Sequence, residues 1–319
     1  MSCLYTKLIK NPKYLPSKKN GYNPPICEDG RLLYVPVSCG KCYECRKKKK
    51  REWTVRLCEE IKRKKAYFIT LTLSNESFFK LRKGNESEND ICTLALRRWL
   101  ERVRKETKKS VKHWFITELG EEKGRIHLHG IIFTENISIV KKWTYGHVFV
   151  GQFVNERTIN YITKYMLKEN PIDKSFIGKV LCSKGIGKEY ITEYTKERNR
   201  YRKGNTKETY MFRNGSEIYL PEYYRNKLYN EKEKESLWIE KIEKGVRYIG
   251  GVAIKTDNEK ELMNALNYWR ERNINIHGDN EQEWEKDKYI NRQKRLNKYR
   301  KKAAMLLRSA NELAHLDND

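Results

Sequence analysis

Gly124-Arg125-Ile126-His127-Leu128-His129-Gly130-Ile131-Ile132-Phe133 is the stretch on which the reading of this chain turns. Two histidines flank one apolar residue inside a β-type apolar run. On a strand, residues i and i+2 share a face, so both imidazoles project side by side while Leu128 packs the other way. Paired in this way, His127 and His129 can hold a divalent metal; two merely exposed strand histidines would show the same spacing.

Just upstream, His113-Trp114-Phe115-Ile116-Thr117-Glu118-Leu119 reads as the partner strand of a hairpin whose connection carries Gly120 and Gly124. With Glu118 opposite His127, antiparallel register puts Ile116 opposite His129, and all four share one face. Glu118 is then the natural third ligand. A bulge in the connection would shift this register and turn Glu118 away.

Downstream lies Asn155-Glu156-Arg157-Thr158-Ile159-Asn160-Tyr161-Ile162-Thr163-Lys164-Tyr165-Met166-Leu167-Lys168, followed by Asn170-Pro171. Ile159, Ile162 and Met166 fall at helical spacing, Asn155 suits an N-cap, and the proline stops the pattern. Tyr161, Lys164, Tyr165 and Lys168 form a second stripe, roughly 100° around from the apolar one. Two phenols thus stand one turn apart, each with an ammonium beside it. A phenol has a pKa of about 10, so a neighbouring cation or metal is needed to favour phenolate at neutral pH. Such a stripe also occurs at the rim of an ordinary core.

A His-hydrophobe-His strand followed by a Tyr-x-x-x-Tyr helix with interleaved lysines resembles the HUH endonuclease superfamily in its two-tyrosine branch. More closely, the chain resembles the replication initiators of microviruses, small phages with circular single-stranded DNA. The likeness includes Phe68-Ile69-Thr70-Leu71-Thr72-Leu73-Ser74-Asn75, similar to that family's first motif, and Cys39-Gly40-Lys41-Cys42-Tyr43-Glu44-Cys45-Arg46; together these motifs span residues 39–168. The resemblance implies His127, His129 and Glu118 as metal ligands, Tyr161 and Tyr165 as alternating nucleophiles, and Lys164 and Lys168 as assisting cations. It implies a ferredoxin-like or RRM-like palm with the metal face opposite the tyrosine helix. The implied activity is rolling-circle initiation: metal-dependent, site-specific nicking and rejoining of single-stranded phage origin DNA through a 5′-phosphotyrosine, in the host cell cytoplasm.

Elementary chemistry agrees with that implication. A divalent ion polarises the scissile phosphate, and an in-line oxygen nucleophile displaces the 3′ oxygen while the ester bond is conserved. Mixed imidazole and carboxylate ligands with open positions fit Mg²⁺ or Mn²⁺. Charge points the same way: 68 Lys+Arg against 42 Asp+Glu among 319 residues leaves a formal +26, suited to a phosphate polyanion. A ribosomal or RNA-binding protein would carry similar charge. Basic runs at 46–51 and 62–65 lie on a helical segment with Trp53, Val55, Leu57 and Ile61, so that one face is expected to touch DNA backbone.

Eight cysteines in a reducing compartment are not read as a disulfide framework. Cys39, Cys42 and Cys45 make two consecutive Cys-x-x-Cys steps, for which structural zinc is the preferred reading, with Cys3, Cys27 or Cys58 as fourth ligand. An iron–sulfur cluster or three free thiols are the alternatives. Cys92 and Cys182 read as buried small hydrophobes. No signal-like or membrane-spanning apolar run occurs, so a cytosolic protein without membrane contact is expected. The Lys184-Gly185-Ile186-Gly187-Lys188 stretch lacks the Gly-x-x-x-x-Gly-Lys-Ser/Thr phosphate loop, which leaves unwinding to a host helicase and copying to a host polymerase.

Strands paired as hairpins without regular βαβ alternation predict an α+β fold with an antiparallel sheet. The expected elements are a strand over 67–73, a helix over 91–108, the metal hairpin, a fourth strand over 143–150 and the tyrosine helix. Strand order is left open. The chain divides into a Cys-cluster and basic helix segment (1–65), the endonuclease domain (66–193) and a charged, mostly helical region (194–319). In the last, helices are expected over 221–244, 258–272 and 281–316, with aromatics such as Tyr224 and Tyr229 building a satellite core. The stretch over 292–308 combines a basic face with apolar residues and suits DNA, a partner or disorder equally. His113 and His147 are read as hydrogen-bonding residues outside the site. The alternatives to an initiator are a non-catalytic zinc-dependent nucleic-acid-binding protein and, closer in chemistry, a relaxase or HUH transposase. Origin sequence and oligomeric state lie beyond sequence.

Overall fold

The computed structural model describes residues 3–82, 87–120, 124–151, 153–168 and 176–279, with positions 281, 282, 286 and 290 beyond them. An amino-terminal hairpin, β1 (Lys7–Lys10) and β2 (Tyr34–Val37), leads into the long basic helix α1 (Tyr43–Ile61). Then come β3 (Ala66–Thr72), α2 (Asn75–Leu81), α3 (Glu88–Thr107), β4 (Lys112–Leu119), β5 (Ile126–Phe133), β6 (Val148–Gly151), α4 (Glu156–Lys164) and β7 (Val180–Cys182). The five strands β3 to β7 form one sheet in the order β6-β3-β5-β4-β7, antiparallel at every pairing, as expected of an α+β fold.

Both faces of this sheet are covered, which is why β4 and β5 show no polar alternation. Ile69, Leu71, Phe115, Leu128 and Ile132 point toward α3, whose Ile91, Ala95, Leu96, Trp99 and Val103 form the matching stripe. Ser87 caps α3 by accepting from the Asp90 N–H, and the helix ends on left-handed Lys108. The opposite face, Trp114, Ile116, Ile131 and Phe133, packs on Trp53 and Leu57 of α1 and on Ile159, Ile162 and Met166 around α4. Gly130, next to His129 on β5, is required by close packing: a Cβ there would lie 2.2 Å from the Phe115 ring and 2.5 Å from the Trp114 carbonyl.

Three expectations about elements need correction. The fourth strand does not run over 143–150 but is Val148–Gly151. Trp143 instead closes the α3 core and donates its indole N–H to the Thr72 carbonyl at 2.9 Å, and Gly146 sits against the Thr72 backbone where a side chain has no room. The strand β7, paired to β4, is absent from the sequence reading, because three residues carry too little periodicity to register.

The carboxyl-terminal region is not purely helical either. Besides α5 (Glu193–Arg198), α6 (Glu222–Leu228), α7 (Glu231–Glu243) and α8 (Glu259–His277), it holds two short hairpins, β8 (Thr209–Met211) with β9 (Glu217–Tyr219) and β10 (Val246–Ile249) with β11 (Val252–Lys255). The satellite core exists: Tyr190, Tyr210, Leu220, Tyr224, Tyr229 and Leu237 pack around Val55 of α1. Tyr268 instead lies exposed. The chain forms two compact units, Met1–Trp269 and Arg270–Asp319. Within the second, the end of α8 is closed by the Gly278 N–H bonding the Ile274 carbonyl; the expected helix over 281–316, with its basic stretch over 292–308, lies outside the described residues apart from isolated positions. Among the described residues no helix is long and apolar enough to cross a membrane.

Candidate active site

Register brings the histidines and the carboxylate together. Glu118 lies opposite His127 and Ile116 opposite His129, the bulge-free pairing, while Thr72 and Thr70 of β3 flank the same two histidines from the other side. Glu118, His127 and His129 each offer one ligand atom, all within 4.8 Å of one another. Two imidazoles and a carboxylate in that space suit a single divalent ion with coordination positions left for substrate.

His129 is the hub of the cluster. Its Nε2 lies 2.7 Å from Glu118 Oε2 and its Nδ1 3.0 Å from Thr70 Oγ1. The ring stacks on Tyr165 at 4.3 Å between centroids and 5° between planes, and lies parallel to Phe68 at 6.4 Å. The other carboxylate oxygen of Glu118 accepts a bond from Lys168 Nζ. Side-chain exposures of 12% for His129 and 11% for Glu118 mark a site largely shielded from water yet open on one side.

These contacts set the charges. Burial works to raise the Glu118 carboxyl, but hydrogen bonds from His129 and Lys168 outweigh it and hold the group below the usual carboxylate range. His127 is pushed below the usual imidazole range, first by burial and then by the charge of His129. A carboxylate that stays ionised beside an imidazole that stays neutral is the protonation state a metal needs.

The tyrosines arrive from α4. Asn155 caps it as expected, accepting from the Thr158 N–H at 3.0 Å within a capping box. The α-helix ends at Lys164, however, short of the expected Lys168, and Asn170-Pro171 lies outside the described residues. Tyr165, Met166 and Leu167 donate instead to Ile162, Thr163 and Lys164, a 3₁₀-type tightening. In such a turn residues i and i+3 eclipse, which sets the Lys168 ammonium 5.3 Å from the centre of the Tyr165 ring.

The two phenolic oxygens, Tyr161 Oη and Tyr165 Oη, are 2.7 Å apart. Tyr161 is exposed and meets Phe68 edge-on at 6.4 Å. The chain therefore gathers Glu118, His127, His129, Tyr161, Tyr165 and Lys168 in one place. Lys164 stands apart: it is exposed and adjoins Lys50 of α1, whose ammonium is destabilised first by burial and then by the charges of Lys164 and Lys47.

Sequence reasoning passes over Phe68 and Thr70, which lie within the quoted first motif without an assigned role, and Phe149, 60% exposed on edge strand β6 opposite Thr70 and 6.2 Å from Phe68. Alternation along β3 puts Phe68 and Thr70 on one face; only the β3–β5 pairing says that it is the histidine face. His113 and His147 lie outside the site. His113 Nδ1 lies 3.0 Å from the Val111 carbonyl oxygen and 2.9 Å from Ser183 Oγ, and the His147 backbone pairs with Thr72.

A second group of ligand type stands at the start of α1. Cys39, Cys42 and Cys45 are joined by Cys3, all four sulfurs within 4.8 Å of one another. The other two cysteines considered as fourth ligand are used elsewhere: Cys27 Sγ bonds the Asp29 carbonyl, and Cys58 is buried in the α1–α4 core. Cys92 is buried as expected, whereas Cys182, expected to be buried, is exposed on edge strand β7.

No curated protein and no solved structure gives a match to this chain. Residues 66–170, which carry β3 through α4 and every histidine, tyrosine and carboxylate of the cluster, match the family model described as Replication-associated protein ORF2.

Proposed function

We propose that this protein is a rolling-circle replication initiator that nicks and rejoins single-stranded origin DNA through a 5′-phosphotyrosine link. The observation that carries the reading is the meeting of two phenolic oxygens 2.7 Å apart with a His-His-Glu cluster on which one of the phenol rings is stacked. A structural rim of tyrosines has no need of a carboxylate and two imidazoles at its base.

His127, His129 and Glu118 would hold Mg²⁺ or Mn²⁺, which when bound polarises the scissile phosphate and screens its charge. The residues of the chain do the rest. One phenol attacks phosphorus; its proton leaves Oη as the new P–O bond forms, and the bond to the 3′ oxygen breaks, that oxygen leaving as a hydroxyl. Lys168, held against Glu118 and over the Tyr165 ring, and Lys164, one turn beyond Tyr161, favour negative charge on the phenols. The freed 3′ hydroxyl primes a host polymerase behind a host helicase. The second phenol then cuts the regenerated origin, and reversal of the ester exchange closes the released strand without ATP.

Phe149 of β6 and Phe153 in the turn leading to α4, 60% and 80% exposed, offer rings on which flanking bases stack, and Lys47, Lys50 and Lys164 offer cations for the backbone. The test is to incubate protein, an origin oligonucleotide and Mn²⁺ and to seek a denaturation-resistant protein–DNA adduct. It forms with the wild type, is lost in the Tyr161→Phe/Tyr165→Phe double variant, and is impaired in His127→Ala and His129→Ala. Salt-sensitive retention of DNA without a covalent product would defeat the proposal.

A further inference from the structure

The geometry points to a tetrathiolate zinc site formed by Cys3, Cys39, Cys42 and Cys45, which clamps the amino-terminal segment to the first turn of α1 and thereby fixes the helix that backs the tyrosines. Distances make the case. A tetrahedral ion with Zn–S bonds of about 2.3 Å requires its sulfurs to stand about 3.8 Å from one another. Cys39 Sγ and Cys45 Sγ are 3.8 Å apart, and all four sulfurs lie within 4.8 Å of each other. That is far beyond the roughly 2.05 Å of a disulfide. It is also tighter than the spread of four thiolates around a polynuclear iron–sulfur body, so one ion is the fitting occupant.

The surroundings are built for thiolate. The Cys39 N–H points at Cys3 Sγ at 3.3 Å and the Cys42 N–H at Cys39 Sγ at 3.4 Å, backbone donors of the kind that stabilise metal-bound sulfur. Gly40, at φ +77°, makes the turn between Cys39 and Cys42 that these bonds require. Cys42 is the N-cap residue of α1, where the positive end of the helix dipole favours the net negative charge of a zinc tetrathiolate. Cys3, Cys42 and Cys45 are buried, so the site is closed, as a structural zinc site is.

What the ion would hold is mechanically connected to the active site. From Cys45 to Thr54 is nine residues of helix, about 14 Å at 1.5 Å per residue. Thr54 Oγ1 there meets Thr163 Oγ1 of α4 at 3.1 Å, both buried, and Thr163 lies between Tyr161 and Tyr165 in the chain. Trp53 and Leu57 pack in the same cluster as Ile159 and Ile162. Loss of the ion frees the start of α1 and loosens the support of the tyrosine helix without touching the His-His-Glu cluster.

The test reads metal content first and needs no DNA, so its outcome is separate from that of the nicking proposal. Elemental analysis of purified full-length protein gives one zinc per chain, and titration with a mercurial releases that zinc as four thiols react. Cys3→Ser and Cys42→Ser each lose the zinc and lower Tm by about 5 °C or more, whereas Cys27→Ser and Cys182→Ser keep both. With saturating Mn²⁺, adduct formation falls in the zinc-free variants in parallel with Tm. Wild-type protein without zinc, protein carrying iron with a visible absorption band, or zinc retained by the Cys3→Ser/Cys42→Ser double variant would each overturn the inference. Zinc-bound wild type that forms no adduct would defeat the proposed function and leave this site standing.

Discussion

Thr70 shows how much of this site is held by a residue that touches no reacting atom. A metal on His129 Nε2 obliges the proton onto Nδ1, and Thr70 Oγ1, 3.0 Å away, is the acceptor that fixes this tautomer and the ring plane. Thr70→Val keeps the shape and removes the acceptor. It is expected to weaken Mn²⁺ binding by about 10- to 100-fold, measured by calorimetry or by the Mn²⁺ dependence of nicking, with Tm nearly unchanged. Unaltered Mn²⁺ affinity would mean that Glu118 alone orients the ring. The histidines themselves were legible because a two-residue period is local. The role of Thr70 was not, because it depends on a strand far away in sequence becoming the neighbour of β5.

At the scale of elements, α4 places its phenols only because α1 and the sheet hold its other face. Ile162 is fully buried beside Trp114, Ile131 and Leu57. Ile162→Ala is expected to cost about 2–5 kcal/mol of stability by denaturant unfolding, and to lower adduct yield more than Mn²⁺ affinity, since the cavity lies under the tyrosines and not under the histidines. Equal loss of both would place the damage in the sheet. The metal hairpin and α3 could be read from sequence because each spans several periods of its own pattern. The tyrosine helix was recognised, but the tightened turn over 165–167 that brings Lys168 over Tyr165 was not, since 3₁₀ and α turns share the same residue preferences at a helix end. The hairpins β8–β9 and β10–β11 escaped for a simpler reason: three or four residues per strand amid charged sequence carry no alternation to detect.

Across the whole molecule α1 is the shared strut: it meets the sheet and α4 on one side and the tyrosine-rich core of residues 190–237 on the other. Its buried Glu60 ties these parts together, accepting from Lys112 Nζ at 2.8 Å and from the Gly187 N–H at 2.7 Å, and pairing with Lys64 at 2.9 Å. Burial alone would raise this carboxyl; the two lysines and the amide hold it below its ordinary value. A depressed carboxyl stabilises the fold above its unfolded pKa of about 4.3, and that contribution is lost as pH falls through the lower folded value. Tm is therefore expected to drop between about pH 5 and pH 3, and Glu60→Gln to lower Tm at neutral pH while flattening this acid limb. An unchanged slope would assign the acid sensitivity to other carboxylates. Function rests on a narrower assembly within this frame, the phenols of α4 meeting the imidazoles of β5. The most direct measurement of it is mass spectrometry of the proteolysed protein–DNA adduct formed with Mn²⁺ and an origin oligonucleotide. The account predicts a 5′-phosphonucleotide on Tyr161 or Tyr165; a nucleotide on any other residue, or no covalent product at all, would contradict it.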